Sequence, residues 1–486
     1  MKKLLIIALA VSIFGMSCTK DITRFNEQTK NAVAVPGETL FSNAVKNYVD
    51  VLASSNVNLN VFRFTVGHWA ATTYQDEPQY NFTTRAIPDG LWNRMYRNVL
   101  YNLQEAKKVI SADPLLEAGD KANKLAMCDI MQVNAYYFLT TTFGNVPYTE
   151  ALDLESNSFP KYDDAKTIYD DLLTRLTTDV STLKSNSGGI SGSQDIIYGG
   201  SAASWAKFGN SLLLRMAITI ADEDPAKAKS VFESANAGAF MSVADNAELK
   251  YLVAPPNTNP LWVDLVQSGR QDMVAGKPLL DTLKNYLNDP RLDLYFRPVV
   301  KTLTDGTDSI YQNGGVVGSK NTFATTSKPS AQMINPTFAQ IIISYSEVEF
   351  LRAEAIERGF TVAGTAAEHY NNGIETSIVW WGGTAAQASA YLANPKVDYA
   401  TAPGDWKARI GLQKWIALYN QPIQGWVEMR RLDQPKIVAP TGATSGFPNR
   451  LTYPAAEQQL NPASYKAAAT AVGGDKVETK LWWDKF

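Results

Sequence analysis

With 486 residues, 45 basic and 48 acidic side chains, the chain is long enough to bury a large core and too mildly acidic to track a nucleic-acid backbone. Its 45% hydrophobic content fits a packed globular body, and 11 tryptophans and 22 tyrosines supply many rings. Two cysteines exclude a disulfide framework.

Met1-Lys2-Lys3 gives a positive start, and Leu4 to Phe14 is an apolar stretch broken only by Ser12. Gly15-Met16-Ser17 then leads to Cys18. This pattern predicts a signal peptide over residues 1–17, too short and wrongly flanked to span a bilayer. Ser17-Cys18 resembles a bacterial lipobox, so Cys18 is the expected lipid attachment residue. Each buried acyl methylene contributes ~0.8 kcal/mol, so two or more chains anchor stably. Residues 18–37 read as a polar tether. Without Lys2 and Lys3 the chain carries 43 basic and 48 acidic residues, a net charge of −5.

Residues 38–486 are expected to form a single domain, because no Pro/Ser-rich linker or charge block divides them. The first part, about 38–240, reads as helical. From Asp89-Gly90, the residues Trp92, Tyr96, Val99, Leu103, Ala106 and Ile110 recur at spacings of four and three, a single apolar stripe. Cys128, Met131, Ala135, Phe138 and Thr142 repeat the pattern in the next helix, which stops at Gly144, the expected C-cap. Asp163 to Leu183 and Ala202 to Ile220 are further helices, and Asp224-Pro225 opens another with proline in its first turn. Ser187 to Gly192 and Gly314 to Gly318 read as loops. Paired helices that cannot bury their stripes alone predict tetratricopeptide-like stacking, although no strict repeat is found. The segment 241–345 is rich in Pro, Asn and Gly and reads as loops with a few short strands. Helices return from 346 onward, at Ser346 to Arg358, Ala366 to Trp380, Ala385 to Ala393, Trp406 to Tyr419 and Gly425 to Leu432. The fold class is therefore mostly α, with helical pairs supporting an irregular loop-rich segment where binding residues collect.

Saccharide faces stack on aromatic rings while amides and carboxylates bond the hydroxyls. Two stretches mix these groups. In His68 to Asp76 the candidates are Trp69, Tyr74 and Asp76. In the irregular middle, Trp262 stands with Asn257, Asn259, Asp264 and Gln267. Tyr295 with Arg297 is a weaker third. Each ring could equally pack in the core.

No HExxH, GxSxG, paired CxxC or phosphate loop occurs. Two histidines and one remaining thiol are poor zinc ligands; Asp305 to Asp308, rich in carboxylates and carbonyls, is compatible with calcium, although most such loops are ordinary turns. Cys128 is expected in the core. No catalysis, cofactor or metal is expected. Two other readings share these features, a membrane-anchored helical scaffold binding only proteins, and a glycoside hydrolase whose carboxylate pair is hidden among 48 acids.

Tyr136-Tyr137-Phe138 leading to Phe143-Gly144-Asn145-Val146-Pro147-Tyr148 resembles the helix-end signature of SusD/RagB outer-membrane lipoproteins. Asn288 to Leu292 is similar to their Asp-Pro-Arg element. Ser346 to Gly359, Gln413-Lys414-Trp415, Trp426 to Arg431, Arg450 to Pro454 with Glu457 and Asn461, and Leu481 to Asp484 follow in the family's order. The resemblance implies an outer-membrane, cell-surface lipoprotein that captures an oligosaccharide or peptide. It also implies a SusC-like TonB-dependent transporter as partner. The charged signature residues Arg291, Glu354, Arg430, Arg431 and Glu457 are expected to fix helix packing. Trp380, Trp381, Trp415, Trp426, Trp482 and Trp483 are assigned to packing.

Overall fold

The structure is a computed structural model and describes residues 35–153 and 155–486. The expected signal peptide, Cys18 and tether residues 19–34 lie outside the described residues.

Helix α1 (Gly37–Ala53) buries Phe41, Val45, Tyr48, Val49 and Leu52 along one stripe. Helix α2 (Ile87–Asn93) runs through a π-helical turn (Arg94–Leu100) into α3 (Tyr101–Ala112). The stripe from Trp92 to Ile110 survives, with only Tyr96 half-buried, but spacing does not reveal the π turn. Helix α4 (Ala118–Phe143) differs from its single-stripe reading, because every residue from Ala126 to Phe143 is buried. A helix covered all round belongs to the centre of the body.

Around it stand α5 (Ala165–Ser185), α6 (Ala202–Thr219) and α7 (Pro225–Asn236), capped by Asp164, Ser201 and Asp224. Each cap side chain accepts an N–H in the first turn, satisfying a donor the helix leaves free. Helix α3 packs on α1 and α4, α4 on α5, α5 on α6 and α6 on α7, a consecutive stack of tetratricopeptide type. The second helical part holds α8 (Tyr345–Glu357), α9 (Ala366–Trp380), α10 (Ala385–Leu392), α11 (Trp406–Ala417) and α12 (Pro422–Leu432). It closes with α13 (Ala455–Leu460) and α14 (Pro462–Ala471). Helix α8 packs against α9, α11 and α6, joining the two helical parts.

The signature charges lie inside this packing. Arg431 pairs with Glu354 at 2.6 Å and Glu428 at 2.5 Å, and Lys414 reaches Glu428 at 2.9 Å, tying α8, α11 and α12. Buried Arg291 pairs with Asp289 at 2.6 Å and donates to Gln413 at 2.8 Å. The Tyr162 hydroxyl donates to half-buried Glu457 at 2.7 Å. Arg430 donates to the Thr141 carbonyl at 2.9 Å, and Arg450 to the Phe143 carbonyl at 2.8 Å. Two cations from the last quarter of the chain thus close the C-terminal end of α4, where its dipole is negative. Gly144, at φ +86, ends that helix as expected. Trp381, Trp415, Trp426 and Trp483 are buried, whereas Trp380 and Trp482 are half-buried.

The loop-rich segment hangs on short antiparallel ladders. In chain order the strands are β1 (Trp69–Ala71), β2 (Ala247–Leu249), β3 (Met273–Ala275) and β4 (Val299–Thr302). They are followed by β5 (Asp308–Tyr311) and β6 (Gln340–Ile343). The pairs are β1 with β3, β2 with β6, and β4 with β5. Asp305 to Asp308 is the turn of the β4–β5 hairpin, where Asp305 accepts the Thr307 N–H at 2.9 Å.

Candidate functional site

The sequence candidates separate by burial. Trp69 is 0% exposed, donates from Nε1 to the Tyr419 hydroxyl at 2.9 Å, and lies under the Arg63 guanidinium at 4.7 Å. Tyr295 is also 0% exposed; its ring stacks on Tyr419 at 4.3 Å and its hydroxyl donates to the Ile416 carbonyl at 3.0 Å. Asn259 is fully buried as a helix cap, accepting the Leu261 N–H at 2.7 Å and donating to the Phe338 carbonyl at 2.8 Å. These three expectations are corrected, because a side chain whose faces and polar atoms are taken up by the protein offers a saccharide nothing. The alternation of aromatic and polar residues could not show which rings point inward.

Tyr74, Asp76 and Trp262 remain, and the β1–β3 ladder explains how two distant segments flank one another. Its register sets Ala71 opposite Met273. Beyond it, the Thr72 N–H donates to the Asp272 carbonyl at 3.1 Å and the Thr72 hydroxyl to the Gln271 carbonyl at 2.8 Å. The loop after Thr72 therefore runs beside Ser268–Asp272, which follows the helical turn Pro260–Trp262 and the π turn Val263–Gln267.

Tyr74 is 66% exposed and lies against one guanidinium. Arg85 lies 5.4 Å from its ring centroid, a cation–π contact, while Arg270 stands on the neighbouring segment Ser268–Asp272 that Thr72 bonds. Arg85 reaches the buried Glu77 carboxylate at 2.9 Å; burial pushes the Glu77 carboxyl above its usual range. Arg270 donates from Nε to Asp272 at 3.0 Å, and its backbone N–H donates to the Asp264 carbonyl at 3.2 Å. The hydrogen bond to Asp272 raises the Arg270 pKa. Asp264 in turn accepts from Ser55 at 2.5 Å. Half-buried Asp76 accepts from Asn81 Nδ2 at 3.3 Å, and half-buried Trp262 lies two residues before Asp264.

The loop is held in conformations that side chains avoid. Tyr74 (φ +55), Tyr80 (φ +65) and Ala86 (φ +47) are all left-handed. Each such residue costs of order 1–3 kcal/mol, and such strain clusters at ligand sites. Gln79 fixes the loop from behind by donating to the Gly318 carbonyl at 2.8 Å, and its own carbonyl accepts the Thr444 N–H at 2.9 Å. Arg85 and Arg270 are the residues that sequence reasoning missed, since their partners come from register and turn geometry.

A concavity of about 460 Å³ lies between the loop-rich segment and the chain after α12, lined by Pro278, Val317, Trp415, Ile437, Val438 and Pro440. It is largely aliphatic, and of its lining the sequence singled out Trp415 alone, as a packing residue. The other reactive groups are sealed. Burial lowers the pKa of His68 to about 3 and pushes the Cys128 thiol up. Among the described residues no group of three or more His, Cys, Asp and Glu is placed to hold a metal ion, and no helix is long and apolar enough to cross a membrane.

A profile of the SusD-like family, described as starch-binding and associating with the outer membrane, matches residues 27–454. The chain belongs to the SusD/RagB family. No curated protein sequence matches it. Among solved structures it is similar to a chitin-binding protein at 26% identity, covering 93% of this chain and 100% of that one, with a TM-score of 0.78. A chitin-binding SusD homologue from Flavobacterium johnsoniae aligns at 24% identity over 92% and 98% of the two chains, with a TM-score of 0.76. A SusD homologue from Bacteroides thetaiotaomicron aligns at 22% over 93% and 100%, with a TM-score of 0.77. The latter two likenesses establish the fold.

Proposed function

We propose that this protein is a non-catalytic glycan receptor of the outer membrane. It is anchored through Cys18, captures an oligosaccharide at the Tyr74 loop and passes it to a TonB-dependent transporter of the SusC type. Family membership over residues 27–454 carries the reading. The chitin-binding relative at 26% identity favours a glycan over a peptide. At the site, an exposed ring flanked by fixed guanidiniums and carboxylates suits a hydroxyl-rich ligand, with the ring stacking on the sugar face. The absence of catalysis is supported by where the perturbed acids lie. Glu354, Glu428, Asp129 and Asp179 sit in helix packing, and Glu77, the perturbed acid of the Tyr74 loop, is fully enclosed and held by Arg85.

The test is binding of the chain from Thr19 onward to chitin and starch oligosaccharides, with chromatography of the recovered ligand. The expected outcome is binding, intact ligand, and at least tenfold weaker affinity for Tyr74→Ala. Cleaved ligand overturns the non-catalytic reading, and binding to neither glycan overturns the choice of ligand. Membrane fractionation of Cys18→Ala tests the anchor, and co-purification of a TonB-dependent transporter with the lipidated protein tests the partner.

A further inference from the structure

We infer that Glu77 and Arg85 are positioning residues for the Tyr74 site: the enclosed Glu77 carboxylate holds the Arg85 guanidinium against the Tyr74 ring, and protonation of Glu77 releases both. This rests on the proposed reading of the Tyr74 loop as the capture site and adds a dependence on pH to it.

The loop from Tyr74 to Ala86 begins and ends on left-handed residues, at φ +55 and φ +47, with the 3-10 turn Glu77–Gln79 between them. That turn carries Glu77 inward, where its side chain is 0% exposed. The Asn81 N–H donates to the Asp76 carbonyl at 2.9 Å and the Ile87 N–H to the Phe82 carbonyl at 3.0 Å, closing the second half of the loop on the first. Arg85, 38% exposed, then touches two partners. Its Nη1 lies 2.9 Å from Glu77 Oε1, and its guanidinium carbon lies 5.4 Å from the Tyr74 ring centroid. One guanidinium thus couples an enclosed carboxylate to an exposed ring. Arg85 covers one face of that ring, and the high exposure of Tyr74 leaves the opposite face for a ligand.

A carboxylate taken out of water depends on its counter-ion. For Glu77 that counter-ion is Arg85, while Asp76 opposes ionisation with a like charge. Among the described residues the neighbouring segments bring no second cation to it. Arg63, on the helical turn Phe62–Thr65 packed against Glu77–Gln79, donates instead to the Leu52 and Ala53 carbonyls at 3.3 and 3.4 Å. Gln79 bonds the Gly318 carbonyl, and Lys320 on that turn makes no ion pair with Glu77. Residues 441–446, whose Thr444 N–H donates to the Gln79 carbonyl, carry no ionisable side chain.

Burial raises the Glu77 carboxyl above its ordinary value in spite of Arg85, so it takes up a proton at a higher pH than a solvated glutamate. The contact is therefore complete above that value and is lost as pH falls through it. Neutral Glu77 no longer attracts Arg85, and the half-exposed guanidinium turns into water. Tyr74 then loses the support of one face and has to be ordered by the ligand, which weakens binding roughly three- to tenfold.

The experiment reads the ring directly. The full-length lipidated chain, labelled with 3-fluorotyrosine and held in detergent, is titrated by fluorine NMR from pH 7 to pH 4. The Tyr74 resonance is assigned by its loss in Tyr74→Phe. It is expected to shift with a midpoint above the ordinary glutamate value in the parent, and to stay near the parent's low-pH position throughout in Glu77→Gln and Arg85→Ala. Glu77→Gln is checked for an unaltered melting temperature; if it does not fold, Arg85→Ala, at a half-exposed side chain, carries the test. Calorimetry with chitohexaose and maltohexaose at pH 7 and pH 4 runs beside it. The ligand that binds is expected to bind roughly three- to tenfold more weakly to the parent at pH 4, and equally at both pH values to Glu77→Gln. A Tyr74 resonance that does not titrate, or that titrates alike in Glu77→Gln, overturns the inference. Binding that is lost in Tyr74→Ala but independent of pH also overturns it and leaves the receptor reading standing. Titration as expected, with no glycan bound or with binding that ignores Tyr74→Ala, upholds the coupling of Glu77, Arg85 and Tyr74 and overturns the receptor reading.

Discussion

The indole N–H of Trp69 donates to the hydroxyl of Tyr419 at 2.9 Å across 350 positions of sequence, and neither ring is exposed. Tyr419 stacks on Tyr295, so β1, the Asp-Pro-Arg region and the end of α11 share one aromatic centre beneath the loop cluster. Five residues on, Tyr74 stands 66% exposed. Trp69→Ala and Tyr74→Ala should therefore behave oppositely. The first opens a cavity and is expected to cost ~3–5 kcal/mol of stability. The second is expected to cost under ~0.5 kcal/mol while weakening glycan binding. Denaturant melts beside binding isotherms check the pair; a stable Trp69→Ala variant that has lost binding would return Trp69 to the ligand site.

Glu354 is enclosed by Arg431 and Arg358, and Glu428 by Arg431 and Lys414. Burial alone would raise the carboxyl of Glu354, but the neighbouring cations outweigh it and hold the group below its ordinary value. Removing one partner leaves a buried charge uncompensated, so Glu354→Ala is expected to lose ~3–5 kcal/mol. Replacing Glu354 and Arg431 together by Leu and Met should lose less than Glu354→Ala alone. Chemical denaturation of both variants decides it, and a double variant as unstable as the sum of the singles would refute the network.

Asp179 on α5 is buried near Asp129 on α4, which accepts from Arg175 at 2.7 Å and from Lys107. Burial and the Asp129 charge push the Asp179 carboxyl up to about 9, whereas the two cations, opposing burial, hold Asp129 at about 2. The folded state thus keeps a proton on Asp179 that the unfolded chain releases near an ordinary aspartate pKa. Its contribution is complete below that pKa and is lost as pH rises towards 9, by up to about 1.4 kcal/mol per pH unit. Asp179→Asn is expected to be more stable than the parent at pH 8 and to show a flatter stability profile between pH 5 and 8. Parallel slopes for the two proteins would show that Asp179 does not titrate in this way.

Gly276 closes the β1–β3 ladder, where its N–H donates to the His68 carbonyl at 2.9 Å and an added Cβ would lie 2.3 Å from the Gly67 carbonyl oxygen. Gly276→Ala should push the strands apart and cost ~1–3 kcal/mol through overpacking. Because the ladder sets the Tyr74 loop beside Arg270, glycan affinity should fall as well. Tyr74 fluorescence is masked by 11 tryptophans, so calorimetric titration is the suitable readout. Full affinity in a folded Gly276→Ala variant would separate the ladder from the site.

Helix periodicity was legible because each amphipathic stripe is written locally. Trp92 to Ile110 stayed one face even through a π turn, and Asp224-Pro225 started α7 where expected. The ordered words from Tyr136 to Asp484 carried the family, and with it the expectation of helical pairs under a loop-rich segment. Those words are packing residues, such as Arg431 on Glu354, which is why they identify the fold and say little of the ligand.

Sequence by itself determined the class of fold, the boundaries of the helices it placed to within a few residues, though not α13 and α14, and which segment would be irregular, since hydrophobic period, caps and breakers act over one or two turns. Tertiary structure alone decided that Trp69, Asn259 and Tyr295 face inward while Tyr74 faces out. Alternating aromatic and polar residues on a short strand and its loop are equally compatible with either direction until a partner strand fixes the register. It also decided that Arg85 lies against Tyr74 beside the segment carrying Arg270, and that Arg430 and Arg450 close α4. Each of these depends on segments far apart in the chain, brought together by burial of a common core that no local pattern encodes.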